Sequence, residues 1–274
     1  MKRYHTMLSI AGSDSSGGAG IQADLKTASA LGVYGMTAIT AITAQNTTGV
    51  TAIQGIDAEI VSAQIDAVFD DIPPQAVKTG MLYSADIVCA VAERLKSHQA
   101  GNIVIDPVMV STSGSLLIAE EAIDTMVKQL FPIATLVTPN IAEARRLTGA
   151  ETPVEQAQAL HLMGAQAVLL KGGDNGNTIT KTDYLSICGN PIIELSAPAI
   201  PTRNTHGTGC SLSSAIASYL AMGKPLITAV TLAKSYLNEA LRSGASISIG
   251  SGHGPVNHFF NPQSLHTYQD ENQA

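Results

Sequence analysis

The chain has 274 residues, 45% of them hydrophobic and 14% charged, with 24 glycines and a formal net charge of −7. That apolar share supports a sizeable core and excludes a disordered chain. The negative balance argues against a general nucleic-acid or anionic-membrane surface, which calls for excess Lys and Arg, while leaving room for a local basic pocket.

In chain order, residues 7–12 read as a short buried strand ending in Gly12, and 13–20 as a polar, glycine-rich loop. Ile21, Leu25, Ala28 and Leu31 fall at helical spacing, and Gly32 stops that helix. Residues 36–44 predict a strand, 45–49 the loop after it, and 50–56 a further short strand reaching an edge or a partner subunit. Asp57 caps a helix running to Phe69. A regular alternation follows. Strands are expected at 76–79, 102–106, 134–137 and 167–171. Helices are expected from Ser84 to about Lys96, over 120–131, around Glu143 to Leu147, and from Pro153. Residues 178–198 alternate like an antiparallel hairpin around Gly189-Asn190-Pro191. Helices after residue 210 and near 226–241 complete the body, and a polar tail from about 269 frays.

Strands alternating with helices predict a mainly parallel sheet covered on both faces. With no repeat, low-complexity tract or linker, one domain over 1–274 is expected. Ligands of such sheets bind beyond the carboxyl ends of the strands. The unusual residues gather there: Gly12 and the loop to Gly20, Gln45, Gly80-Met81, Asp106-Pro107, Asn140, Lys171-Gly172-Gly173, and the turn 204–210. Cys89, Cys188 and Cys210 are too scattered for a disulfide framework or a zinc site. The apolar run at 7–11 is too short for a signal-peptide core, and no later run spans a bilayer, so the cytoplasm is the expected compartment.

The turn Asn204-Thr205-His206-Gly207-Thr208-Gly209-Cys210 runs directly into an apolar, small-residue helix. The first N–H groups of a helix lack internal partners and carry partial positive charge. Gly207 and Gly209, flanking Thr208, let the backbone approach a ligand, which makes an anion hole suited to phosphate. Cys210 lies at its edge, where the same field favours a thiolate, although a free cysteine is often only a small hydrophobe. Asp106 and Glu143 sit at the expected rim, where carboxylates hold Mg²⁺ directly or through water, cap helices, or pair with lysine. Lys171 and Lys234 could each reach a polyphosphate, and Lys234 could equally snorkel to solvent. Asp24 and Gln45 suit a small heterocycle, since an amide both donates and accepts and a carboxylate binds an alcohol. On spacing alone, both read as ordinary surface or loop residues. His206 could touch phosphate, yet a turn histidine more often bonds nearby backbone; the other histidines show no metal-ligand spacing. Gly18-x-Gly20-x-x-Ala23 imitates a dinucleotide fingerprint, but no acidic residue ends the second strand, which weakens hydride transfer.

Together, the run Ala11-Gly12-Ser13-Asp14-Ser15-Ser16-Gly17-Gly18-Ala19-Gly20 with its continuation to Thr27, Ala44-Gln45-Asn46-Thr47, Lys78-Thr79-Gly80-Met81-Leu82, Asp106-Pro107-Val108-Met109, Thr138-Pro139-Asn140-x-x-Glu143 and His206-Gly207-Thr208-Gly209-Cys210 resemble the signature of hydroxymethylpyrimidine/phosphomethylpyrimidine kinases. The match runs in order over about residues 7–260. It implies a three-layer α/β/α, ribokinase-like fold without a separate lid domain, and a homodimer. It also implies ATP-dependent phosphorylation of 4-amino-5-hydroxymethyl-2-methylpyrimidine, then of its monophosphate, in thiamine synthesis. By motif position, Gln45 and Asp24 would hold the pyrimidine near Gly12, with Met81 and Val108 beside the ring. Asn140, Glu143, Lys171, Gly173, Thr208 and Lys234 would face ATP and Mg²⁺, the metal falling to Asp106 and Glu143. Wider relatives carry Asp where Cys210 stands, and a Cys210 thiolate is the favoured base. Pyridoxal kinase is the nearest alternative. A non-catalytic regulator is another, and a cysteine-nucleophile transferase is weaker because no histidine is placed to activate Cys210.

The family usually places lysine where Thr112 stands, so this phosphate-facing loop has lost a charge and nucleotide closure leans on Lys171 and Lys234. Thr112→Lys is therefore expected to tighten ATP binding measured by titration; an unchanged affinity would remove the argument.

Overall fold

Short strands buried along their whole length alternate with helices in this computed structural model, which describes residues 1–109, 118–173 and 179–269. Thr112 lies outside the described residues. The elements are β1 (Lys2–Tyr4), β2 (Thr6–Ala11), α1 (Gly20–Ala30), β3 (Tyr34–Ile39), β4 (Ala41–Asn46), β5 (Gly49–Gly55), α2 (Ala58–Asp71) and β6 (Ala76–Thr79). They continue with α3 (Ala85–Ser97), β7 (Ile103–Ile105), α4 (Glu120–Gln129), β8 (Leu136–Val137), α5 (Ile141–Thr148), α6 (Pro153–Leu162) and β9 (Ala167–Leu170). The last are β10 (Thr180–Ile187), β11 (Ile193–Pro198), α7 (Thr208–Ala221), α8 (Leu226–Gly244) and β12 (Thr267–Gln269).

The central sheet has eight strands in the order β11-β10-β9-β8-β7-β6-β2-β3. From β9 to β3 all neighbours are parallel, and β10 and β11 add an antiparallel edge. Strand order reverses at β2, with β3 on one side and β6 on the other, which opens a crevice at the carboxyl ends of β2 and β6. Side chains alternate across the sheet. Leu8, Ile10, Val77, Ile103, Ile105, Val137 and Val168 pack with Ile65, Val88, Met126 and Leu160 of α2, α3, α4 and α6. Met7, Ala76, Val104, Leu136 and Leu169 pack with Ala28, Leu212, Ile216 and Val230 of α1, α7 and α8. Three layers result, as expected. Each fully buried aliphatic side chain contributes roughly 1.5–3 kcal/mol, so the sheet register is strongly held. Among the described residues no helix is long and apolar enough to cross a membrane.

Two expectations change. The single strand expected over 36–44 is broken at buried Thr40, whose hydroxyl donates to the Met81 carbonyl at 2.6 Å and whose N–H donates to that of Ala11 at 3.1 Å. The chain leaves the central sheet there, and β4 pairs only with β5 in a separate two-stranded sheet. Gln45 and Asn46, expected in a loop, therefore lie on β4 next to a register shift at Ala44/Gln45. The chain ends also meet, with Lys2 opposite Gln269 in the β1–β12 pair, a long-range pairing that three-residue strands do not announce.

One charged pair sits inside the apolar layer. Ser9 and Lys78 share the sheet face of Met7 and Ala76, toward α1 and α7. Lys78 Nζ donates to both Asp24 oxygens at 2.9 and 2.8 Å, and the Ser9 and Ser214 hydroxyls donate to the same carboxylate at 2.5 and 2.6 Å. All four residues are fully buried. Burial works against the Lys78 charge, but Asp24, with Asp106 further off, holds the ammonium above its ordinary range. Lys78→Met strands the Asp24 charge in the core and is expected to cost about 3–5 kcal/mol, read by urea melts, with partial recovery in Lys78→Met/Asp24→Leu. A single-variant loss below about 1 kcal/mol would show that the pair contributes little.

Candidate active site

The carboxyl ends of the parallel strands open into a cavity of about 870 Å³. Ala11 at the end of β2 and Gly12 after it, Gly80 and Met81 after β6, Asp106 after β7, Asn140 after β8 and Lys171 after β9 all line it. Gln45, Val108, Glu143, Gly173, Lys234 and the residues from Gly207 to Cys210 line it as well. The structure thus brings every expected site residue except Asp24 to one cavity. Asp24 does not line it. Its carboxylate lies beneath the floor, saturated by Lys78, Ser9 and Ser214, and the expectation that it holds a ligand is corrected: helix α1 turns it inward, toward the lysine of β6.

One end of the cavity is apolar. Met81 and Ala41 form a small cluster with Val50, Ile53 and Val108. Gly12 lies under the Met81 thioether, so a side chain there would overlap it. Gln45 stands above, its backbone tied to Ser15 at 2.7 and 2.9 Å and its Oε1 accepting from Thr43 at 3.2 Å. Gln45 Nε2 has no hydrogen-bond partner among the described residues. This end suits a flat, partly polar ring that needs an acceptor and a donor from one amide.

The other end is charged, its lysines paired with carboxylates. Lys171 Nζ lies 2.7 Å from Asp106 Oδ1 and 4.0 Å from Glu143 Oε2. Burial opposes the Lys171 charge, but Asp106 and Glu143 raise it to about 12. Burial likewise opposes the Asp106 charge, and Lys171 and Lys78 hold that carboxyl below its usual range. Glu143 is pushed up by burial and by the Asp106 charge, against the pull of Lys171. Asn140 and Glu143 form a reciprocal capping box on α5, each backbone N–H reaching the other's side chain at 2.8 Å. Lys234 does not extend to solvent: its Nζ lies 2.6 Å from Asp183, whose other oxygen accepts from the Gly172 N–H at 2.9 Å.

Between the ends stands the start of α7. Its first helical bond runs from Ser211 N–H to the Gly207 carbonyl at 2.8 Å. The Thr208 N–H is directed to the Thr205 carbonyl at 3.3 Å, so Thr208 does not offer a free amide as expected. The N–H groups of Gly209 and Cys210 have no partner among the described residues and carry the positive end of a 14-residue helix. A Cβ on Gly209 would come within 3.3 Å of Lys171 Nζ, which places this turn against the Lys171–Asp106 pair. Gly207 is required for another reason: it caps α7 at φ 78 and its Cα lies on the Gly18 carbonyl.

The expected Cys210 thiolate is corrected. Burial pushes the thiol up to about 11; Lys78 and the Gly20 N–H pull against this, while Asp24 and Asp106 reinforce it. Desolvation by the surrounding helices outweighs the helix field. Lys78 and Asp14 stood only inside the motifs quoted for the resemblance, without a role, and Asp183 was not singled out. Lys78 left one further trace, a charge within a short strand of the sheet.

Among the described residues no group of three or more His, Cys, Asp or Glu is arranged to hold a metal. Asp106 and Glu143 nonetheless fit a cation shared with phosphates: two carboxylates repel each other across a single lysine, and Mg²⁺ takes one or two carboxylates plus ligand oxygens.

A family model for phosphomethylpyrimidine kinase matches residues 14–257. The chain is 52% identical to the hydroxymethylpyrimidine/phosphomethylpyrimidine kinase of Rhizobium meliloti (strain 1021), over 92% of this chain and 96% of that one. It is 42% identical to the enzyme of the same name from Bacillus subtilis (strain 168), over 95% and 97%. Among solved structures, phosphomethylpyrimidine kinase from Clostridium difficile 630 superposes with a TM-score of 0.75 at 45% identity, over 86% of this chain and 99% of that one. Pyridoxal kinase from Staphylococcus aureus in complex with AMP-PCP and pyridoxal gives 0.85 at 33% identity, over 94% of each.

The raised thiol makes the thiolate a minor species at neutral pH. Iodoacetamide is expected to alkylate exposed Cys89 and Cys188 well before Cys210, followed by peptide mass mapping. Preferential labelling of Cys210 would show an activated thiolate instead.

Proposed function

The chain belongs to the phosphomethylpyrimidine kinase family, and from that premise we propose that it transfers the γ-phosphoryl group of ATP to the alcohol of 4-amino-5-hydroxymethyl-2-methylpyrimidine and then to the resulting monophosphate, in thiamine synthesis. The observation that carries this reading is the cavity itself: an apolar, amide-topped end and a lysine-lined end meet at two unpaired helix amides.

The pyrimidine ring lies against Met81 and Val108, and Gln45 pairs with a ring nitrogen and the exocyclic amine. Its hydroxymethyl group then points toward Gly209 and Cys210. The γ-phosphate sits on the amides of these two residues, with Lys171 balancing its charge and Lys234 and Gly173 toward the rest of the nucleotide. Amides aimed where charge accumulates stabilise transfer without reorganising. Mg²⁺, when bound, would be held by Asp106 and Glu143 and would neutralise charge on the nucleotide phosphates. Because Cys210 is protonated at rest, it supplies its backbone N–H rather than a resting base. As the bond from the γ-phosphorus to the ADP oxygen breaks and the new P–O bond forms, the acceptor proton passes to an oxygen of the transferred phosphoryl group, which a loose transition state allows to happen late.

A second reading has specific support. The pyridoxal kinase relatives superpose closely, and pyridoxal also carries a hydroxymethyl group on a flat heterocycle, so it is proposed as a weaker substrate. We place the enzyme in the cytoplasm as a single-domain unit and a homodimer; the β4–β5 sheet carries Ile42 at 52% exposure, which supports an assembly there.

The test is purified protein with MgATP and the pyrimidine alcohol, following mono- and diphosphate by mass. Both products are expected in sequence; nucleotide binding without turnover would favour a regulator. Gln45→Ala is expected to raise KM for the pyrimidine about tenfold or more while leaving KM for ATP and the use of pyridoxal less affected, since an amide pair contributes about 1–3 kcal/mol. An unchanged KM would remove Gln45 from recognition.

A further inference from the structure

The loop that precedes α1 is built around one carboxylate. Asp14 is 1% exposed, and its Oδ1 accepts from the Ser16 N–H at 2.9 Å and the Ser16 hydroxyl at 2.8 Å. Its Oδ2 accepts from the N–H groups of Gly18 at 3.0 Å and Ala19 at 2.8 Å, and from His206 Nε2 at 2.8 Å. Five donors on one buried carboxylate hold the backbone from Asp14 to Ala19 and the His206 ring in a single arrangement. His206 is the residue immediately before Gly207, the N-cap of α7, and is itself 4% exposed. Its backbone N–H is anchored on the Gly254 carbonyl at 3.0 Å. The Gly18 backbone fits against both residues: a Cβ there would overlap the His206 ring, and one on Gly207 would overlap the Gly18 carbonyl. The contact is therefore tight as well as hydrogen-bonded.

Two further ties continue it downward. The Gly20 N–H is directed at the Cys210 sulfur, and Ser214 of α7 donates to Asp24 of α1 at 2.6 Å. The amides of Gly209 and Cys210, which face the cavity, follow His206 closely in the chain. Asp14 does not line that cavity and reaches it through His206 and Ala19, which do.

We propose that Asp14 and His206 are positioning residues that latch the first loop to the N-cap of α7 and so aim the Gly209 and Cys210 amides at the phosphoryl group in transfer. The inference rests on the kinase reading above. It makes the latch a determinant of transition-state stabilisation more than of ground-state binding, because His206 adjoins the N-cap of the helix that presents the amides, while the loop's tie to the ring pocket runs separately through the Ser15 hydroxyl and the Gln45 backbone. Small displacements of such donors have large effects on rate.

The test compares wild type, His206→Leu, His206→Gln and Asp14→Asn for binding of MgADP with and without aluminium fluoride, a mimic of the phosphoryl group in transfer, alongside steady-state kinetics. Wild type is expected to bind the fluoride complex more tightly than MgADP. His206→Leu and Asp14→Asn should lose that tightening by about tenfold or more and lose kcat similarly, with Kd for MgADP and both KM values within about threefold. His206→Gln, whose Nε2 can replace the imidazole donor, should recover most of both. Should His206→Leu fail to fold, the same comparison of Asp14→Asn with His206→Gln decides. Full tightening in the disrupted variants, no tightening in wild type, parallel losses in MgADP binding, or a folded His206→Gln with no recovery would each overturn the latch. A wild type that shows the tightening but does not phosphorylate the pyrimidine alcohol would instead sink the substrate assignment alone.

Discussion

A charged pair in an apolar layer organises the site. Lys78 is the one cation of the β6 strand, and it meets Asp24 of α1 inside the packing between the sheet and α7. Burying two charges is costly unless every remaining donor and acceptor is matched, and here the Ser9 and Ser214 hydroxyls complete the match. The consequence is positional. Helices α1 and α7 can pack on this face in only one register, the one that brings Ser214 to Asp24. That register carries the beginnings of both helices to the crevice where strand order reverses.

From there the electrostatics of the cavity follow. Its floor is nearly neutral, because Lys78 is matched to Asp24 and Lys171 to Asp106. Positive potential at the surface comes instead from the oriented amides of α7, because Lys234 at the rim is likewise matched to Asp183. Amides provide field without mobile charge, which suits a group whose negative charge shifts during transfer. The same floor explains why the Cys210 thiol is pushed up: burial, reinforced by the Asp24 and Asp106 charges, outweighs the pull of Lys78. Glycine serves two ends in this turn. Gly209 leaves room beside Lys171, and Gly207 supplies the left-handed cap that lets α7 sit against Gly18.

The elements most visible in the amino-acid pattern are those whose side-chain period is set by the layers themselves. Strand β6, the Ser84 cap of α3, the Pro153 start of α6 and the hairpin of β10 and β11 were all legible, since local capping and alternation suffice to specify them. The break at Thr40 was not, because a run of small and β-branched residues reads as one strand whether or not it changes sheets. Nor were β1 and β12, whose pairing depends on residues more than 260 positions apart in register, Lys2 opposite Gln269. The clustering of Gly12, Met81, Asp106, Asn140, Lys171 and the 204–210 turn at strand ends was readable from order alone.

What the sequence determined by itself is the layered α/β architecture, the rim on which the site stands and the family to which the chain is similar, because these depend on local periodicity and on short contiguous motifs. What only the tertiary structure decided is which charges meet. Asp24 looked like a ligand contact and is a buried counter-ion; Cys210 looked like a thiolate and is a protonated thiol; Asp14 and His206, 192 residues apart, looked unrelated and share a hydrogen bond. Burial and partner identity set the state of an ionisable group, and both are properties of neighbours that the chain brings together only by folding.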